Sequence, residues 1–384
     1  MKSLRIGFVL DGGLDSPDGV QQNVLAFGEW LRSKGHQVYF LVGGEPKLRV
    51  EGAYAMARNI SVKFNGNKLT IPLPANKKHI ARTLAELRLN ILHVQTPYSP
   101  LMAGRIIKAA HHETACVGTF HILAYSKLVV WANVGLALLN LPTRRFFRLH
   151  LAVSEPAALF AKKTYGYSCQ IMPNPFAMRR FESELLASAS QTRSEVSIVF
   201  LGRLVPRKGA LELLRAITYL RDDLGVSSGF RVRIGGKGEQ AEALQRYVKK
   251  HRLESVVTFV GFIPEEDKAQ FLASADIAVF PSTSGESFGI SLLEAMAASR
   301  GVVLGGDNPG YRSVMAPKFE TQLIDPKDPK KFAQHLFTWI RDAPARHNAA
   351  VSQGSYVKRF DIETLGPALL ECYAQALQMR NKQA

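Results

Sequence analysis

Short apolar, β-prone runs alternate along this chain with longer stretches in which apolar positions recur every three or four residues. The first pattern predicts buried strands and the second amphipathic helices. In the first half the strands fall at Arg5–Leu10, Gln37–Val42, Ile91–Val94, Ala115–His121 and His150–Ser154, with a helix from Val20 to Lys34. A second series follows at Val196–Leu201, Arg231–Gly235, Val256–Val260, Ala275–Phe280 and Gly301–Leu304, again with helical segments between. Strands alternating with helices build a parallel sheet flanked by helices. Met172–Pro175 and the polar stretch to Glu195 read as a linker, and no repeat period is present. The pattern therefore predicts an α/β protein of two Rossmann-like domains, residues 1–175 and 176–360, with a final amphipathic helix in 361–384. Open α/β sheets bind ligands beyond the carboxyl ends of their strands. Two such domains face to face place the site in the cleft between them.

One post-strand segment stands out, Pro281-Ser-Thr-Ser-Gly-Glu-Ser-Phe-Gly-Ile-Ser-Leu-Leu-Glu-Ala-Met-Ala-Ala298. It reads as a Gly-containing turn followed by a helix rich in Leu, Ala, Met and Glu. Such a turn aims free helix amides at an anion. Glu286 in the turn and Glu294 in the helix then lie roughly 12 Å apart, a span that suits the sugar and ribose ends of a nucleotide sugar. Acids near a helix start also stabilise its dipole, and Glu294 on its own fits a solvated helix position. Phe200-Leu-Gly-Arg-Leu-Val-Pro-Arg-Lys-Gly209 crowds Arg203, Arg207 and Lys208 into another post-strand loop, where they can grip a diphosphate.

Gly-Glu-Ser-Phe-Gly-Ile-x-x-x-Glu-Ala-Met-Ala-Ala resembles the donor-site signature of the retaining, GT-B-fold glycosyltransferases of family four. The resemblance implies that Glu286 holds donor sugar hydroxyls, that Glu294 holds the ribose, and that Ser287, Phe288, Gly289 and Ile290 present the helix start. It implies that Arg203 and Lys208 bind the pyrophosphate. It also implies that the last helix crosses back onto the first domain.

Pro17-Asp-Gly-Val-Gln21 opens the first helix, and Gly19 there lets backbone approach a phosphate. The related motif has two glycines; here the first is Asp18, which also suits a simple N-cap. His121 ends the strand of Thr119-Phe-His121 and corresponds to a His that contacts the donor sugar in related enzymes. In the loop Val260-Gly-Phe-Ile-Pro264 the resemblance gives Ile263 main-chain contact with the nucleotide base. Lys268 matches a Lys of the mannosyltransferase branch, whereas an acid of that branch is replaced by Pro264.

Composition sets the class. The chain has 384 residues, 46% hydrophobic and 21% charged, which is soluble and globular. No apolar run reaches the ~18 residues of a membrane span. The first residues read as a strand and not as a signal peptide. Three cysteines without metal or disulfide spacing predict a reducing cytoplasm. The net charge of +17 is concentrated in residues 1–175, with 21 Lys/Arg against 9 Asp/Glu. That bias predicts an anionic partner. No nucleic-acid motif is present, so an anionic membrane surface is the expected one.

Within family four the chain is most similar to the phosphatidylinositol mannosyltransferases. Asn59–Lys68 resembles their Asn-Gly loop, which assigns Asn65 to the acceptor; Lys127 and Arg207 are assigned to anionic acceptor groups in the same way. Lys77, Lys78, Arg82 and Arg88 mark a basic amphipathic helix able to lie on a membrane. The apolar run Leu128–Leu141 is either a core helix or a membrane or acceptor contact. Gly12 stands where the relatives carry an aromatic residue beside inositol. The expected activity is thus retaining hexosyl transfer, with GDP-mannose as the favoured donor and a phosphatidylinositol-like lipid as acceptor. Another glycolipid or polysaccharide acceptor, or a sugar-nucleotide isomerase or binding module, are the alternatives. No Asp-x-Asp pair stands after a strand, so no metal or other cofactor is expected. The expected location is peripheral, on the inner face of the plasma membrane.

Overall fold

A computed structural model describes residues 3–15, 18–44, 50–64, 67–123, 127–181, 194–316 and 318–381. The chain divides into two compact units, Met1–Phe176 with Ile362–Ala384, and Ala177–Asp361.

The first unit carries β1 (Arg5–Leu10), β2 (Gln37–Gly43), β3 (Ala53–Ala57), the hairpin β4 (Asn59–Phe64) and β5 (Asn67–Pro72), β6 (Ile91–Val94), β7 (Ala115–Phe120), β8 (Phe147–Ala152) and β9 (Gln170–Ile171). Its main sheet is parallel throughout, in the order β3-β2-β1-β6-β7-β8-β9. Setting the hairpin aside, this is a doubly wound sheet whose strand order reverses between β1 and β6. The central strands β6 and β7 are buried at every position, which is why they read as continuous runs and not as alternation.

The helix Ile362–Asn381 completes this unit. Leu365, Leu369, Tyr373 and Ala376 recur at helical spacing and pack into the core with Phe27, Trp30 and Val24. Contact is close enough that a Cβ on Gly366 would stand 2.4 Å from Trp30. Trp30 Nε1 donates to Glu363 at 3.1 Å.

The second unit carries β10 (Val196–Leu201), β11 (Phe230–Gly235), β12 (Val257–Gly261), β13 (Ile277–Phe280), β14 (Val302–Gly306) and β15 (Leu323–Ile324). They form a parallel sheet in the order β12-β11-β10-β13-β14-β15. The strand order reverses between β10 and β13, and this places the loops after those two strands side by side.

Several local expectations change. The expected linker holds the boundary between the units, after Phe176, but its start is packed: Met172, Asn174 and Phe176 are buried, and Asn23 Nδ2 donates to Asn174 Oδ1 at 2.7 Å. Proline there marks irregular backbone inside the first unit, tied to Ile362, whose amide donates to the Phe176 carbonyl at 3.0 Å. Asn59–Lys68 belongs to an antiparallel hairpin, and Asn65 lies outside the described residues. The helix Lys77–Leu87 is capped by Asn76, whose Oδ1 accepts from Lys78 N at 2.9 Å. Its apolar stripe, Ile80 and Leu87, is buried in the core. Lys77, Lys78, Arg82 and Arg88 are exposed around it.

Candidate active site

The site is built on the two neighbouring loops of the second unit. After β10 the chain makes a tight turn, Pro206–Lys208, closed by Gly209 at φ 77°. A Cβ on Gly209 would stand 1.9 Å from the Pro281 carbonyl oxygen, so only glycine lets the two loops touch. Thr283 N donates to the Arg207 carbonyl at 2.8 Å, and Ser282 Oγ lies 3.2 Å from the same oxygen. The two loops are thus fastened together by main chain.

Arg207 and Lys208 then converge on one carboxylate. Glu286 Oε1 lies 2.7 Å from Arg207 Nη1 and 2.8 Å from Lys208 Nζ, and it accepts from Ser282 Oγ at 2.7 Å. Burial alone would raise the Glu286 pKa, but the cations of Lys208 and Arg207, with the hydrogen bonds, outweigh it and hold the carboxyl below its ordinary value. The motif placed these groups near one another; the structure joins Arg207, assigned from resemblance to the acceptor, to the same oxygen as Lys208. Arg203 is exposed on the approach to this turn.

A support that the sequence did not announce stands behind Glu286. Asn308 is buried and donates to the carbonyls of Ser282 and Gly306 at 3.0 and 3.1 Å, while its Oδ1 accepts from Tyr311 N at 3.0 Å. Asn-Pro-Gly signals a helix start, and that signal was available at Asn308–Gly310. What it does not reveal is that Gly310 lies on Glu286: a Cβ there would stand 2.1 Å from the Glu286 carbonyl oxygen. Tyr311 is fully buried beside the same residue, and its hydroxyl pKa is raised by burial and then by the Glu286 charge.

The helix Ile290–Ala298 begins immediately after Gly289, so its first amides have no intrahelical acceptor and carry the positive end of the dipole. Phe288 is buried edge-on to Phe360, with ring centroids 5.9 Å apart, which anchors the helix start beside Ser287. One face down, Glu294 is buried and not solvated. Its Oε1 lies 2.7 Å from Lys268 Nζ, which also reaches Glu265 at 2.9 Å. Burial would lower the Lys268 pKa, but the two carboxylates outweigh it and keep the amine charged. Glu265 in turn pairs with Arg180 at 3.1 Å. Glu265, the residue after Pro264, thus joins Lys268 and Arg180. In the same region Ile263 Cγ1 would stand 3.0 Å from a Cβ on Gly235.

The remaining candidates belong to the first unit. Gly19 is the first residue of the helix Gly19–Ser33, and Asp18 occupies the N-cap position without a side-chain cap bond. His121 is buried at the end of β7, with Nε2 2.7 Å from Gln95 Oε1, and burial depresses its pKa to about 3. Beside it His93 lies 2.8 Å from the Tyr373 hydroxyl and 2.6 Å from Thr119 Oγ1, with its pKa also pushed down to about 3 by burial and then by His121. His93, Tyr373 and Gln95 were not singled out in the sequence, since a His inside an apolar strand carries no motif. Lys127 opens the helix Lys127–Arg144. Among the described residues no group of three or more His, Cys, Asp or Glu is arranged to hold a metal ion.

Two family descriptions divide the chain along the same lines as the fold. Residues 17–180 match Glycosyltransferase Family 4, and residues 187–353 match Glycosyl transferases group 1. The chain belongs to the GT-B glycosyltransferases. This transferase is 27% identical over 373 residues to the phosphatidyl-myo-inositol mannosyltransferase of Mycolicibacterium smegmatis, covering 96% of this chain and 93% of the relative. The protein of the same name from Mycobacterium leprae is 27% identical over 380 residues, covering 96% of each. Among solved structures, Anabaena HepE in complex with UDP and glucose matches with a TM-score of 0.73 at 18% identity, covering 97% of the transferase and 99% of that chain. A glycosyltransferase from Rickettsia africae matches with a TM-score of 0.77 at 15% identity, covering 98% and 99%.

Proposed function

We propose that this glycosyltransferase moves a mannosyl residue from GDP-mannose to a phosphatidylinositol-type lipid, with retention of anomeric configuration and without a bound metal. The observation that carries the proposal is the convergence of Arg207, Lys208 and Ser282 on Glu286 beside the start of the helix Ile290–Ala298. Two cations and a helix dipole form a seat for a diphosphate, and a carboxylate at its edge can accept sugar hydroxyls. As charge develops on the departing diphosphate, Lys208, Arg203 and the amides near Phe288 stabilise it in place. Retention with Glu286 in a positioning role follows if the diphosphate leaves on the face that the acceptor approaches and takes the acceptor's proton. Glu294 and Lys268 would receive the ribose and the base side of the nucleotide.

The 27% identity to phosphatidyl-myo-inositol mannosyltransferases over nearly the whole chain supports the lipid acceptor and the mannose. A thermal-shift panel of GDP, UDP, ADP and CDP tests the donor, because only a specific ligand stabilises by mass action. Selective stabilisation by GDP, followed by transfer from GDP-mannose to phosphatidylinositol, is the expected result. Selective stabilisation by UDP would replace the donor, and donor turnover with polysaccharide but not lipid would replace the acceptor.

A further inference from the structure

The helix Lys127–Arg144 is inside out. Among the described side chains its buried ones are polar: Asn133 Oδ1 accepts from the Tyr165 hydroxyl at 2.6 Å, Asn140 Nδ2 donates to the carbonyls of Tyr98 and Leu136, and Thr143 Oγ1 donates to the Asn140 carbonyl at 2.8 Å. Large apolar side chains stand on its exposed side: Trp131 is 73% exposed, Leu138 65%, Leu139 63% and Leu141 57%. Positions seven apart share a helix face. Trp131 and Leu138 therefore face one way, and Asn133 and Asn140 the other. Scattered apolar residues on a surface are ordinary, but a helix that buries amides and presents Trp and Leu has a partner for its outer face.

The charges around that face select the partner. Residues 127–165 hold Lys127, Arg144, Arg145, Arg148, Lys162 and Lys163 against one acid, Glu155. Arg144 and Arg145 are exposed at the helix end, and Lys162 and Lys163 are exposed on the neighbouring helix Glu155–Tyr165 beside the exposed Leu159. A second copy of so basic a face would be repelled. An anionic bilayer offers acyl chains for the apolar side chains and phosphates for the cations.

We propose that this helix lies in the surface of an anionic bilayer, with Trp131, Leu138, Leu139 and Leu141 at the headgroup and acyl boundary. The inference deepens the lipid-acceptor reading by naming the face that meets the lipid. Lysine and arginine stems lie along the apolar layer while their heads reach phosphate, and Trp settles at headgroup level. The mode is monotopic: among the described residues no helix is long and apolar enough to cross a membrane. The buried Asn face stays on the protein.

The test uses the full chain with vesicles of phosphatidylglycerol and phosphatidylcholine, against pure phosphatidylcholine. Trp30 is buried and Trp339 partly so, which makes Trp131 the reporter. Expected are co-sedimentation with the anionic vesicles, weakening as salt rises, and a blue shift of tryptophan emission that Trp131→Phe abolishes. Leu138→Ser with Leu139→Ser should weaken partitioning at least tenfold while the unfolding temperature and its shift by nucleoside diphosphate stay at wild-type values. Unchanged partitioning in that double variant, or unmoved Trp131 emission on bound vesicles, overturns the proposal. So does a concentration-dependent dimer that the double variant dissolves, which would give the face to a second copy. Vesicle docking without transfer to lipid would leave this face standing and remove the lipid-acceptor reading. Transfer to detergent-dispersed lipid without docking would do the reverse.

Discussion

Lys208 Nζ stands 2.8 Å from Oε1 of Glu286. The cation proposed to hold the donor's diphosphate is thus paired with the carboxylate proposed to hold its sugar. Arg207 is engaged by the same oxygen. A diphosphate taking the proposed seat would compete with Glu286 for both cations, and a carboxylate freed from them would be available to the sugar.

Glu286→Gln separates these roles. Without the competing anion, nucleoside diphosphate should bind about 3–10-fold more tightly, as expected when a charge-assisted pair is removed from the cations. Transfer should fall about 100-fold or more, because the sugar loses its charged acceptor. Isothermal calorimetry with GDP beside a transfer assay reads both, and unchanged or weaker GDP binding means that no such exchange takes place.

Lys208→Ala should weaken nucleoside diphosphate binding by about 10–100-fold, the range for a charged hydrogen bond. Arg203→Ala should cost less in the same titration, because Arg203 is exposed whereas the Lys208 side chain is largely enclosed. A larger loss at Arg203 than at Lys208 would transfer the main phosphate contact to Arg203.

Gly310→Ala tests the support behind Glu286. The added methyl would lie 2.1 Å from the Glu286 carbonyl oxygen, so the helix start or the Glu286 loop has to move. Overpacking of this kind costs about 1–3 kcal/mol, visible in urea unfolding, and transfer should drop by about 100-fold with it. Wild-type transfer in a folded Gly310→Ala chain would show that Glu286 needs no such placement.

The first unit should weaken in acid. His93 and His121 are held neutral by burial, with pKa values near 3 against an ordinary 6.5. Their folded pKa values are depressed, so below about 6.5 the unfolded chain takes up protons that the folded chain refuses. This contribution is complete above about pH 6.5 and is lost as pH falls toward 3, at about 1.4 kcal/mol per pH unit for each imidazole. Urea midpoints at pH 7, 5 and 4 measure the slope; a flat profile across that window would contradict neutral, buried imidazoles.

Much of this was legible in the chain. Continuous apolar runs located the central strands of both sheets, because strands covered on both faces carry few polar positions to blur them. Glu286, Glu294 and Lys208 were findable because a strand, a glycine turn and a helix start occur in that order around them. The short edge strands β3, β9 and β15 were not findable, since two to five residues hold too little pattern. Nor were Ser282, Asn308 and Gly310, whose roles arise from contacts between loops far apart in sequence. The run Leu128–Leu141 shows the limit most clearly: its composition is plainly apolar, but which side faces the protein depends on Asn133 and Asn140 finding partners on Tyr165 and Tyr98.

The helix Ile362–Asn381 seals the first core with residues made after the whole second unit. During synthesis the second unit, an uninterrupted stretch of chain, emerges complete before the first can close. Until residue 376 leaves the ribosome, Trp30, Phe27 and His93 lack the wall that Leu369, Tyr373 and Ala376 supply. The nascent first half therefore waits with an apolar side open, a stage at which chaperones or premature truncation would act on it.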